Sequence, residues 1–79
     1  MTSEQKIQSK IIKRYEKLGW YVLKIHKANK NGVPDLICLK PNDVLFIEVK
    51  KPTGVLSKIQ EYRIEELSKL NFNVLISTE

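Results

Sequence analysis

Cysteine is nearly missing from this chain, and that scarcity is the first constraint. Only Cys38 occurs among 79 residues, so no disulfide framework and no Cys-x-x-Cys pair exists, and nothing points to secretion or to structural zinc. Cys38 itself sits inside an apolar run and reads as a small buried hydrophobe. Histidine is as scarce. His26 stands alone, with no second His or Cys at ligand spacing, which leaves no histidine-based metal centre. No apolar stretch is long enough to span a membrane, and the polar N-terminus is unlike a targeting segment, so a soluble, intracellular, cytoplasmic protein is expected. Repeats and low-complexity segments are missing too. Glycine and proline number three each, few enough that Gly19, Gly32, Pro34, Pro41, Pro52 and Gly54 each fall at an expected break between elements.

What is present is basic. Fourteen Lys and Arg stand against nine Asp and Glu, a net charge of +5, which suits a polyanionic partner. A chain of this length reads as one domain over residues 1–79. Domains so small bury only about 60% of their unfolded surface, and association into a homodimer would add to that.

In order, residues 3–18 read as an amphipathic helix. Thr2 with Gln5, or Ser3 alone, can cap its start and Gly19 can end it. Ile7, Ile11, Tyr15 and Leu18 form its apolar stripe, with Glu4 close to the stripe's centre. An acid there either interacts with the helix dipole in the first turn or points into a site. Trp20–Ile25 reads as a strand. His26–Gly32 is a polar loop that carries Lys27 and Lys30, with Lys24 just before it. These cations can cradle a phosphate backbone or merely be solvated, and His26 can serve as a structural or backbone-contacting residue or as a general base.

Leu36–Leu39 and Val44–Ile47 are apolar runs on either side of Lys40-Pro41-Asn42-Asp43, the pattern of a β-hairpin. Pro41 cannot take the positive φ of a type I′ turn, so a type I turn is expected. A loop symmetric about Pro41-Asn42 sets Lys40 opposite Asp43. Counting back along both strands then sets Asp35 opposite Glu48, with Lys50 on the same face. Ile37, Leu39, Val44 and Phe46 share that face; Leu36, Cys38, Leu45, Ile47 and Val49 take the other, and both faces are expected to be covered. Lys51-Pro52-Thr53-Gly54 breaks the strand. Ser57 and Gln60 form a capping box for a helix over 57–70 with a stripe of Ile59, Arg63, Leu67 and Leu70, which Asn71 ends. Phe72–Ser77 is a last strand, returning parallel. The fold class is α/β: an αβββαβ order with a mixed four-stranded sheet flanked by two helices.

The chemistry follows from the facing register. Magnesium needs only one or two protein carboxylates and keeps several waters. Asp35 and Glu48 provide two, and the Val49 carbonyl is placed to be a third ligand. Lys50 can position or deprotonate an attacking water, or offset charge that grows in the transition state. An ordinary charged pair at a strand end is the plainer account of Glu48 and Lys50, and such pairs contribute only about 0.2–1 kcal/mol. That account leaves the Pro-Asp before one strand and the Glu-x-Lys ending the next as coincidence.

Pro34-Asp35 and Glu48-Val49-Lys50 resemble the signature of the PD-(D/E)xK nuclease superfamily, and the wider pattern is similar to its VRR-NUC family, the virus-type replication-repair nuclease domain. Gly32, Pro52 and Leu56-Ser57-Lys58-Ile59-Gln60 complete that resemblance, which spans nearly the whole chain. Lys51 departs from it, because relatives often have glycine there. The resemblance implies a restriction-endonuclease-like core and a Mg²⁺- or Mn²⁺-dependent DNA endonuclease. It implies Glu4 as a ligand to a metal-held water or a second metal, and Gln60 as a site residue near Lys50. Gln60 would then have to leave its capping box, since the two roles look exclusive. Lys27, Lys30, His26, Lys51 and Lys58 are the expected DNA contacts. Relatives that stand alone resemble Holliday-junction resolvases and act as homodimers, which implies branched DNA as substrate and a phage-like, stand-alone form here. Two alternatives remain: a nuclease acting on ordinary duplex, and a non-catalytic DNA-binding module.

Overall fold

The computed structural model describes residues 3–78. Along the chain run α1 (Ser3–Lys17), β1 (Tyr21–Lys24), β2 (Leu36–Lys40), β3 (Asp43–Val49), α2 (Lys58–Lys69) and β4 (Asn73–Ser77). The strands form one sheet in the order β1-β2-β3-β4, antiparallel across β1, β2 and β3 and parallel between β3 and β4. The expected αβββαβ order and mixed sheet are both present.

Both helices stop in the same way. Gly19 (φ 93°) and Asn71 (φ 69°) adopt left-handed backbone. After α1 the amides of Gly19 and Trp20 donate to the carbonyls of Glu16 and Tyr15; after α2 those of Asn71 and Phe72 donate to Ser68 and Leu67. Each pair is a Schellman motif, which satisfies carbonyls that a helix end otherwise leaves open. At the start of α2 the Ser57 side chain accepts from the Gln60 amide, and Gln60 Oε1 accepts from the Ser57 amide. Thr2, the other candidate cap of α1, lies outside the described residues, and Ser3 is already helical.

The hairpin has the expected register, with Leu36 paired to Ile47, Ile37 to Phe46 and Lys40 to Asp43. Its turn differs from expectation. Asn42 has φ 60°, the positive value that marks the second central residue of a type II rather than a type I turn. Pro41 suits the first position of such a turn, and asparagine tolerates the left-handed region at the second.

The two faces of the sheet are packed unequally. Leu36, Cys38, Ile47 and Val49 are all fully buried beneath α1, together with Ile11, and Ile7, Ile12, Tyr15, Trp20, Val22 and Leu45 close the cluster. Leu18, expected on the same stripe, is exposed, because it caps the helix where the chain turns at Gly19. On the opposite face α2 lies over β4, and Phe72 meets Phe46 edge-on at 5.8 Å. No residue of α2 is fully buried. Ile59 and Leu70 of its expected stripe are exposed, and so are Tyr21 and Leu23, which share a face with Leu39 and Ile37. Complete coverage of both faces is therefore not found. Helix α2 packs on β4, at the far edge of the sheet from β1.

Candidate active site

Asp35 is positioned by two hydrogen bonds. Its carbonyl accepts the Ile25 amide at 2.8 Å, which ties the entry of β2 to the exit of β1. Its Oδ2 accepts the Val49 amide at 2.9 Å, so the side chain occupies the place where the β2–β3 ladder ends. The carboxylate thereby stands beside Glu48, as continuation of the register requires.

Glu48 is the exception in the interior, a charged side chain only 1% exposed. Its neighbours Ile47 and Val49 point into the α1 core, and strand alternation turns Glu48 the other way, beneath α2. Gln60 Nε2 donates to Glu48 Oε2 at 3.5 Å, a long contact. Oε1 is buried with no hydrogen-bond partner among the described residues. Burial first, and the Asp35 carboxyl second, raise the Glu48 pKa from 4.5 to about 8; the Lys50 ammonium opposes this, and Glu4 adds a smaller push upward. A solvated carboxylate would ionise several units lower, so this group is held in an environment that disfavours its charge. Lys50 is half-buried just past β3, where its amide donates to the Ser77 carbonyl.

The Gln60 amide serves two purposes at once. Oε1 completes the capping box while Nε2 reaches Glu48, so the expectation that cap and site exclude each other is overturned. The amide has separate acceptor and donor ends, and one side chain in this position uses both.

Helix α2 also braces the loop that carries Asp35. Gly32 has φ 80°, and a Cβ there would lie 2.7 Å from the Ile59 carbonyl oxygen, so only glycine fits between the loop and the helix. Arg63 Nε donates to the Asn31 carbonyl at 2.8 Å, and its guanidinium pairs with Glu66 at 3.3 Å. Sequence reasoning placed Arg63 on an apolar stripe and missed this contact. A cation at a core-facing position was the available signal.

Glu4 lies in the first turn of α1 and lines a cleft of about 490 Å³ with Gln5, Gln8, Lys24, Ile25, His26, Asp35 and Lys51. A second depression of about 300 Å³ is lined by His26, Lys27, Lys30, Gly32 and again Asp35, among others. Asp35 is thus shared by both. Of the residues singled out from sequence, Glu4, His26, Lys27, Lys30 and Lys51 surround these openings with Asp35, whereas Glu48, Lys50 and Gln60 line neither. Lys58 is exposed at the start of α2 and lines neither. Gln5 and Gln8 were not anticipated, since neutral amides on a helix carry no chemical signature.

Among the described residues no three His, Cys, Asp or Glu side chains stand close enough together to form a metal cluster. The donor set is a pair of carboxylates, which suits a hard cation that keeps most of its waters. The unpartnered buried Oε1 of Glu48 beside a second carboxylate fits a divalent ion too, because a cation there would relieve both the missing contact and the like-charge repulsion.

The αβββαβ core ending on Asp35, Glu48 and Lys50 is similar to that of a nuclease-type, DNA-processing family. Within it the chain belongs to the VRR-NUC family, whose model, described as VRR-NUC domain, matches residues 2–78. A solved structure described as "VRR_NUC domain" is 29% identical, with 96% of this chain and 84% of that chain covered and a TM-score of 0.86. Another, "VRR_NUC domain protein", is 21% identical over 96% and 77% with a TM-score of 0.78, and speaks for the fold alone. No curated protein matches the sequence. No helix among the described residues is long and apolar enough to cross a membrane.

Proposed function

We propose that this chain is a divalent-metal-dependent DNA endonuclease that hydrolyses phosphodiester bonds in branched DNA and acts in the cytoplasm as a homodimer of single-domain subunits. The observation that carries the reading is the pairing of Asp35 with a buried Glu48 whose Oε1 has no partner among the described residues. An uncompensated buried carboxylate is costly, and a site for a cation gives that cost a purpose. Asp35, Glu48 and the Val49 carbonyl would hold Mg²⁺ or Mn²⁺, with Glu4 at the mouth of the cleft to orient a water or assist a second ion. When bound, such an ion supplies Lewis acidity to the scissile phosphate and acidifies water.

The remaining work falls to the chain's own residues. Lys50 positions the attacking water and offsets negative charge as the bond to phosphorus forms and the bond to the leaving oxygen breaks. Gln60 fixes the orientation of Glu48 from α2. Lys27, Lys30, His26 and Lys51 around the openings, and Lys58 beside them, hold the DNA backbone by charge. A homodimer would cover apolar surface that a chain this small leaves open and would bring two sites to one branched substrate.

The test is cleavage of a labelled four-way junction and a matched linear duplex in Mg²⁺, Mn²⁺ or EDTA, by wild type and by Glu48→Ala. The expected result is paired, metal-dependent cuts on the junction. In the variant they should fall by at least about 10³-fold, roughly 4 kcal/mol of barrier, while DNA binding persists. Cleavage of linear duplex alone would keep the chemistry and discard the substrate. Binding without cleavage in either metal would leave a DNA-binding module.

A further inference from the structure

The outer face of α1 carries a charge pattern that the site does not use. Lys6, Lys10, Lys13 and Lys17 recur at the four- and three-residue steps of a helix face; all are exposed, and Arg14 lies beside them. Among the described residues no ion pair joins any of these four lysines to a carboxylate; the pairs Arg63–Glu66 and Lys69–Glu65 both lie on α2. The stems of Lys10, Lys13, Arg14 and Lys17 wall a shallow depression of about 300 Å³. Like charges at these spacings destabilise a helix. The helix dipole offsets this for Arg14 and Lys17 in the last turn, but it works against Lys6 near the first turn and gives no reason for Lys10.

At about 100° per residue, the centre of the stripe lies about 150°, 110° and 170° around the axis from Glu4, Gln5 and Gln8, the α1 residues that line the cleft. One straight duplex seated at the cleft would not follow both surfaces. From Lys6 to Lys17 the stripe is about 16 Å long at 1.5 Å per residue, a length that spans several phosphates of one strand. We infer that this face of α1 is a second nucleic-acid contact, which holds the phosphate backbone of a duplex arm other than the arm being cut. The inference rests on the nuclease reading above and sharpens its substrate, because only a branched molecule offers two arms to one subunit. A membrane surface suits the stripe less well. Interfacial helices bury an apolar face in lipid, and the apolar face of α1 is already buried against the sheet at Ile11.

The experiment compares wild type with Lys10→Glu/Lys13→Glu/Lys17→Glu and with the corresponding triple glutamine variant, all checked for native circular dichroism and thermal unfolding. Binding to a four-way junction and to one of its arms as a linear duplex is measured in EDTA across a salt series. Cleavage of both is measured in Mg²⁺, and vesicles of phosphatidylserine and phosphatidylcholine are included as a lipid arm. The expected result is junction affinity about tenfold or more lower in the glutamate variant, with a smaller loss for glutamine. The salt slope should fall by roughly 2–3, with duplex binding and cutting within about twofold of wild type. Equal losses on junction and duplex, no loss on either, or a loss confined to vesicles would each overturn the inference. Because binding is read in EDTA, a wild type that cuts nothing would end the nuclease reading without deciding this one.

Discussion

Ile47 and Glu48 are adjacent on one strand, are both buried, and belong to opposite halves of the molecule. Ile47 faces α1 in a core where Leu36, Cys38 and Val49 are equally closed. Glu48 faces α2, where coverage is incomplete and one of its oxygens has no hydrogen-bond partner among the described residues. The difference teaches that this small sheet divides its work by face: one side supplies stability, and the other holds an acid in surroundings that disfavour its charge. Full burial of an aliphatic side chain contributes about 1.5–3 kcal/mol. An unpaired carboxylate at the same depth costs a comparable amount or more.

The comparison is broken most directly at Ile47. Ile47→Ala should lower unfolding free energy by about 2–5 kcal/mol, read by denaturant titration, while the folded fraction keeps its rate of DNA cleavage. A rate that falls out of proportion to the folded fraction would mean the two faces are not separate.

The next effect is in pH. The Glu48 pKa is raised to about 8 in the folded state, so between about pH 4.5 and 8 the native protein binds more protons than the unfolded chain. Stability of the metal-free protein should then fall as pH rises through that window. Glu48→Gln should flatten the decline and be the more stable protein at pH 8. Added Mg²⁺ should raise the melting temperature of wild type more at pH 8 than at pH 5, since only the ionised acid binds it. A flat wild-type profile in EDTA would remove the argument from burial.

Smaller effects test how α2 holds the site. Gly32→Ala meets the Ile59 carbonyl at 2.7 Å and a φ of 80°, and should cost about 1–3 kcal/mol with a loss of cleavage beyond the loss of folded protein. Ser57→Ala removes half of the capping box and should cost about 1 kcal/mol. Its effect on cleavage should be slight, because Gln60 can still reach Glu48. Thermal melts with parallel cleavage assays check both.

The folded architecture was legible where local chemistry is strict. Hairpin register, both left-handed helix ends and the Ser57–Gln60 box were readable from residue type and spacing. So was the meeting of Asp35 with Glu48, since a symmetric loop leaves little freedom in pairing. The unread parts depend on contacts between distant segments. Arg63 bonding to Asn31, and Gly32 pressed on Ile59, join residues whose partnership no periodicity records. The incomplete cover over Tyr21 and Leu23 follows from where α2 comes to rest, and apolar patterning describes only what a face would bury. The split use of Gln60 was misread because its amide was treated as one group.

That split has a dynamic consequence. Fraying of the first turn of α2 and loss of the amide beside Glu48 are a single event, because the same side chain takes part in both. Whatever settles the charge on Glu48 should therefore quiet the opening of a helix end twelve residues away in sequence. The Ser57 and Gln60 amide protons would report it as slower exchange with solvent.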